Sequence, residues 1–169
     1  MRKKTIMAAT LFWMLAALAP AAAAPATLES STMLTLPGMV EVEGSSIDLT
    51  ATIGSATIRV KTSGLVSGNV YTLWGFSFSN PGNCVDGCGF DDAADRPDAV
   101  GFNVQQIAGH VTGASGNVNL AGSISVENAQ GAEYHIVVAE HGALDPENMP
   151  EAIKSAGPGV QIGLLGLPG

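Results

Sequence analysis

Three histidines, His110, His135 and His141, are the only imidazole side chains of the chain. On an unbroken strand His135 and His141 would share a face about 20 Å apart, so joint ligation of one ion needs a bend after Ala139, which Gly142 permits. Three imidazoles suit zinc or copper. One hypothesis is therefore a small copper or zinc metalloprotein, and its alternative is that the histidines are hydrogen-bonded residues at strand ends.

A second group consists of five aspartates within thirteen residues, opposed only by Arg96. Hard cations such as calcium prefer carboxylate oxygens, although this spacing does not match the EF-hand loop. The group predicts either a calcium-stabilised surface module or a solvated acidic loop. Its members are Asp86, Asp91, Asp92, Asp95 and Asp98.

The two cysteines, Cys84 and Cys88, are separated by three residues. In an exported chain this spacing predicts a disulfide, which contributes roughly 2 kcal/mol in the chain-entropy model and mainly fixes the local loop. A redox pair would instead favour C-x-x-C at the start of a helix. Hydrolytic chemistry is not indicated, since the chain has no G-x-S-x-G sequence and no phosphate-binding loop. These observations favour a protein that is not an enzyme.

The amino terminus has the composition of a signal peptide. Arg2, Lys3 and Lys4 precede an apolar run that is too short to span a membrane, and small residues follow up to Ala26. We expect residues 1–26 to be cleaved and the remainder to lie in the periplasm or outside the cell. That remainder has four strong bases against fifteen acids, a net charge of −11, which argues against nucleic acids and anionic membranes as partners.

The remaining chain has the short alternating segments of an antiparallel β-sandwich, Ig-like or Greek-key, with seven or eight strands. A first strand is expected at residues 32–36, and residues 47–53 and 58–61 alternate in this way. Residues 102–112 and 118–126 form a predicted hairpin, and residues 133–140 form the last strand. We expect residues 27–145 to form the sandwich, residues 80–99 to be loop, and residues 146–169 to be a tail with a short helix at residues 150–156.

One strand, residues 69–79, is the most aromatic part of the chain beyond the leader. Trp74, Phe76 and Phe78 share one of its faces, and aromatic side chains bring the largest burial term per residue. We therefore expect these three residues to anchor the core, with Tyr71 and Leu73 on the opposite face.

Several ordered blocks over residues 57–142 resemble a family of bacterial exported β-sandwich proteins. The chain matches that family's G-x-x-Y-T-x-W strand at residues 68–74, its F-x-N-P turn at residues 78–81, its cysteine loop at Cys84, and A-G-H-V at residues 108–111. It also matches A-E-x-H-x-V-V-x-x-H-G at residues 132–142. The resemblance implies a fold and the recurrence of the three histidines, but no activity.

The pattern is more distantly similar to chordin-type domains and copper–zinc superoxide dismutase sandwiches. Residues 74–76 (Trp-Gly-Phe) stand where those proteins would have metal-binding histidines, so dismutase activity is not expected. The leading hypothesis is an exported, non-enzymatic β-sandwich that binds an unknown protein or small ligand. Its expected functional edge is the cysteine–aspartate loop together with the histidine-bearing strand ends.

Overall fold

The computed structural model describes residues 26–166, which form two packed antiparallel β-sheets. The expected signal peptide lies outside the described residues, apart from Ala26. The strands are β1 (Thr27–Ser31), β2 (Leu34–Thr35), β3 (Ser46–Thr52), β4 (Ser55–Thr62), β5 (Asn69–Phe78), β6 (Phe102–Val111), β7 (Val118–Ser125), β8 (Glu133–Ala143) and β9 (Gly159–Leu165). The short helices are α1 (Phe90–Asp95), α2 (Pro97–Val100) and α3 (Met149–Ala152).

The first sheet has four strands in the order β1-β3-β4-β7, and the second has five in the order β2-β9-β8-β5-β6. All paired strands are antiparallel. The all-β antiparallel sandwich predicted from the alternating pattern is therefore confirmed. The structure adds strands at both ends of the chain, so the described residues contain nine in all.

The β3–β4 hairpin shows why the alternation predicts this fold. Ile47, Leu49 and Ala51 are buried while the residues between them face outward, and Thr52 pairs with Ser55 across the turn. Gly54 completes that turn with φ of +76°, a conformation that costs glycine little. Alternation with one wet face is typical of a strand that packs on a single side.

The strands β6 and β7 do not pair with each other as the predicted hairpin would require. β6 belongs to the five-stranded sheet and β7 to the four-stranded sheet, where it pairs with β4. The two strands meet across one side of the sandwich, where the side chains of Asn103 and Gln105 bind the backbone of Ser125. The glycine-containing connection thus crosses from one sheet to the other.

Both ends of the described chain also differ from expectation. The expected frayed start is β1, which pairs with β3, whereas the strand expected at residues 32–36 is only the two-residue β2. The segment expected to be a tail contains α3, close to the predicted helix, and then β9, which pairs with β8 and β2. Residues 159–165 are therefore part of the sandwich.

The space between the sheets is filled by one face of β5 and β8, and it is not the face with Trp74, Phe76 and Phe78. The side chains that β5 and β8 contribute to the main core are Tyr71, Leu73, Tyr134, Ile136 and Val138. Phe76 and Phe78 are buried at 9% and 2% exposure, but in two separate clusters outside the five-stranded sheet, and Trp74 is half-buried. The expected core anchors thus stabilise an outer layer.

Among the described residues, no helix has the length and apolar character needed to cross a membrane.

Candidate functional site

The outer face of the five-stranded sheet carries most of the side chains that the sequence singled out. Residues from two connections, 79–101 and 144–158, pack against this face, so its apolar residues are partly covered. This arrangement leaves gaps between the sheet and the covering segments. The residues that β5 and β8 present on this face are Thr72, Trp74, Phe76, Phe78, Glu133, His135 and Val137.

The clearest of these gaps is an apolar groove of about 320 Å³. Its floor includes Phe76 and Val137, which are buried, and its rim includes Phe90 from α1. Small-molecule sites are commonly lined by apolar and aromatic side chains and begin at about 300 Å³. The residues that line this groove, which we call the aromatic groove, are Leu36, Phe76, Phe90, Val137, Ala156, Gly157, Gly159 and Ile162.

Glycine keeps one wall of the aromatic groove open. A Cβ atom on Gly159 would lie 3.0 Å from Val137 Cγ1 and 3.2 Å from Leu36 Cδ1, and would narrow the groove. Gly157 has φ of +55°, and a Cβ atom there would lie 3.0 Å from both the Glu140 carbonyl oxygen and the ring of His141. The lack of a side chain at Gly159 therefore leaves space in the groove, whereas Gly157 allows the backbone to pass close to Glu140 and His141.

Phe90 is the most exposed aromatic side chain at this site. It remains 69% accessible, and its ring meets that of Phe76 edge to face, with 5.7 Å between the ring centroids. Large apolar side chains that stay exposed beside an apolar groove are typical of interaction sites. The ring is held over the groove by a short helix instead of being folded into the core.

The cysteine loop fixes the segment that carries Phe90. Cys84 and Cys88 form the expected disulfide, and Cys88 packs with Phe78 and Val100 under the loop. Part of residues 80–99, expected to be loop, is helical, because it contains α1 and α2. α1 begins two residues after Cys88, so the disulfide lies directly before the helix that carries Phe90.

One of the five aspartates has a structural role in this loop. Asp92 is buried, accepts a hydrogen bond from the Val85 amide, and forms an ion pair with Arg96. Arg96 also donates to the Asn83 carbonyl oxygen at 3.0 Å, so the pair ties three parts of the loop together. The other four, Asp86, Asp91, Asp95 and Asp98, are exposed. Asp86, Asp91 and Asp95 border a cleft of about 420 Å³ with Asp92, and Asp98 lies outside it.

The three histidines have separate surroundings. His135 Nε2 lies 2.7 Å from Oε1 of the buried Glu133, and its ring packs 5.3 Å from that of Phe78. His141 Nε2 lies 2.7 Å from the Thr72 hydroxyl oxygen, which also accepts a hydrogen bond from the Trp74 indole. His110 is exposed at the end of β6, beside a shallow apolar groove of about 410 Å³.

Within residues 26–166 no group of three or more histidine, cysteine, aspartate or glutamate side chains is placed to hold a metal ion. His110, His135 and His141 are thus not brought together in the manner that the metalloprotein hypothesis requires. The expected calcium ligands are also divided, because Asp92 binds Arg96 and Asp98 is outside the acidic cleft. The arrangement that the structure does provide is an apolar groove with polar groups beside it.

Burial lowers the pKa of His141 below its ordinary value of 6.5. In the unfolded chain the imidazole binds a proton more readily than in the folded protein, so the free energy of unfolding should fall as the pH drops below about 6.5 towards the folded pKa. The contribution of the neutral His141 side chain to the free energy of unfolding is fully present above pH 6.5. We expect the melting temperature of the wild type to fall more between pH 8 and pH 5.5 than that of His141→Gln.

His110→Gln is the matched control for this measurement, because His110 is exposed. It should keep the pH dependence of the wild type. Equal pH dependence in the wild type and in His141→Gln would contradict the role assigned to His141.

Sequence reasoning missed much of the aromatic groove. Leu36 follows β2, while Ala156, Gly157, Gly159 and Ile162 come from the expected tail. The sequence does contain a signal that could have identified Phe90 as a candidate site residue. Phe90 is an aromatic residue in a non-periodic acidic loop, two positions after a disulfide cysteine. Comparison of the chain with protein-family models, curated proteins and solved structures gave no match.

Proposed function

We propose that this chain is an exported, non-enzymatic binding protein that holds a small molecule with an apolar body in the aromatic groove. The observation that carries the proposal is Phe90, which stays 69% exposed at the rim of a groove whose floor is apolar. The Cys84–Cys88 disulfide is compatible with an oxidising compartment and supports the export part of the proposal.

The composition of the groove favours binding over catalysis. Its side chains are aliphatic or aromatic, and two of its eight lining residues are glycines. None of these side chains is a nucleophile or a general base, and the nearest imidazole contact is His141 behind Gly157. A ligand here would gain mainly from burial of apolar surface, at roughly 25 cal/mol per Å² before the costs of association.

The test uses Trp74 as a reporter, because it packs on the cluster of Phe76, Val137 and Ile162. The chain has one other tryptophan, so Trp13→Phe leaves Trp74 as the only one whether or not the leader is removed. We expect titration with 1-octanol to change the Trp74 emission in a saturable way. Calorimetry on the same protein checks the affinity.

Phe90→Ala should weaken octanol binding by about tenfold, since it removes one aromatic wall of the groove. Gly159→Ala should weaken it as well, because the added methyl group enters the groove beside Val137 and Leu36. Ile53→Ala is the control. Ile53 is 76% exposed in the β3–β4 turn of the other sheet, so its removal should leave binding unchanged.

An affinity that is the same in Phe90→Ala, Gly159→Ala and Ile53→Ala would show that octanol binds elsewhere. Failure of the wild type to bind octanol with saturation would also overturn the proposed site.

A further inference from the structure

We infer that the ligand of the aromatic groove is a small organic ammonium compound, whose apolar body lies in the groove and whose positive charge faces the acidic cleft beside it. This inference rests on the proposed function and specifies the class of ligand. Its basis is the charge next to the groove, argued from the side chains of α1 and the cysteine loop.

The groove and the acidic cleft are adjacent along α1. Phe90 lines the groove, and the next residue, Asp91, lines the cleft. Consecutive residues of α1 thus border the two spaces, and we expect a ligand that extends past Phe90 to reach the carboxylate of Asp91. The residues of the cleft are Val85, Asp86, Asp91, Asp92, Asp95 and Arg96.

The acidic cleft keeps a net negative charge after its internal ion pair is formed. Arg96 is its only base, and that guanidinium is bound to Asp92 and to the Asn83 carbonyl oxygen. The exposed carboxylates of Asp86, Asp91 and Asp95 have no hydrogen-bond or ion-pair partner in the part of the chain that the structure describes. Three unpaired carboxylates beside one groove favour a cationic ligand.

The remaining strong bases of the described chain do not neutralise this region. Arg59 and Lys61 belong to β4 in the other sheet, and Lys154 is paired with Glu151 at 2.7 Å. Phe90 itself adds a second attraction, because an ammonium group near the face of an exposed aromatic ring is attracted by its quadrupole. The positive group of a ligand would thus meet the ring and the carboxylates together.

The experiment compares three probes with the same alkyl chain, namely octylammonium, 1-octanol and octanoate. We expect octylammonium to bind the wild type at least tenfold more tightly than octanol, and octanoate to bind most weakly. The preference for octylammonium should shrink as sodium chloride is raised from about 20 to 500 mM, because the carboxylates are exposed and their field is screened. Calorimetry gives all three affinities on the full chain.

The double variant Asp91→Asn, Asp95→Asn tests the assignment to the acidic cleft. It should remove most of the preference for octylammonium and leave octanol affinity unchanged, since the groove is intact. Asp98→Asn is the matched control, as this exposed aspartate lies outside the cleft. Asp92 is left in place because its ion pair holds the loop.

The outcomes separate this inference from the proposed function. Equal affinities for octylammonium and octanol, with both weakened by Phe90→Ala, would overturn the ammonium ligand and leave the groove as a binding site. The same preference in the double variant as in the wild type would also overturn it. Failure of the wild type to bind octanol in the aromatic groove would overturn the proposed function itself.

Discussion

Replacing Leu73 with alanine should lower the free energy of unfolding by about 2–5 kcal/mol, the usual range for a leucine truncated in a closed core. Leu73 is fully buried between the two sheets, on the face of β5 opposite to Trp74 and Phe76. The cavity would open in the main core, where both sheets are held by their strand pairing and collapse is limited. Urea denaturation followed by circular dichroism measures the change.

Two comparisons make this prediction specific. Val104→Ala, on β6, removes a side chain that is 42% exposed and should cost less than about 1 kcal/mol. The folded fraction of Leu73→Ala should bind octanol with the affinity of the wild type, because Leu73 faces away from the aromatic groove. A cost below 1 kcal/mol for Leu73→Ala would contradict the assignment of the two faces.

Replacing His135 with alanine should lower the free energy of unfolding by about 1–3 kcal/mol, because it removes the hydrogen-bond partner of a buried carboxyl group. His135 Nε2 lies 2.7 Å from Oε1 of Glu133, whose side chain is only 2% exposed. Removal of one partner from a buried hydrogen bond leaves the other polar group unsatisfied, which typically costs about 1–3 kcal/mol. Urea denaturation of the single variant measures this cost.

Two controls separate the loss of the pair from other effects. In the double variant Glu133→Leu, His135→Leu no buried polar group is left without its partner, so it should recover much of the stability that His135→Ala loses. His110→Ala removes an exposed imidazole and should change stability by less than about 0.5 kcal/mol.

Elemental analysis of the wild type, His110→Ala and His135→Ala tests the metalloprotein alternative. That alternative would have His110→Ala and His135→Ala both release a stoichiometric metal ion. Such a release would contradict the purely structural role of the Glu133–His135 pair. Unchanged metal content, together with destabilisation confined to His135→Ala, would support it.

The sequence was most informative where a strand has one solvent-exposed face. β3 and β4 alternate between buried apolar and exposed polar residues, so their inner side chains follow from the pattern. The disulfide followed from the short spacing of Cys84 and Cys88 in a chain with a signal-like leader. These features are local, and local periodicity is sufficient to predict them.

Periodicity was least informative in β5 and β8, where both faces are largely buried. Every residue of Val70–Phe78 except Trp74 is buried, because the main core lies on one side and covering segments lie on the other. A strand covered on both faces has no polar side to mark the outside. The aromatic residues therefore predicted burial correctly, but they did not indicate which layer their side chains pack against.

By itself, then, the sequence determined the antiparallel sandwich, the disulfide and the acidic character of the cysteine loop. Only the tertiary structure decided which face of β5 fills the core, that β9 joins the sheet, and that Phe90 lies beside Gly159 across an apolar groove. Phe90 and Gly159, for example, are about 70 positions apart in the chain. Those contacts depend on the packing of connections over a sheet face, which no local pattern of side chains specifies.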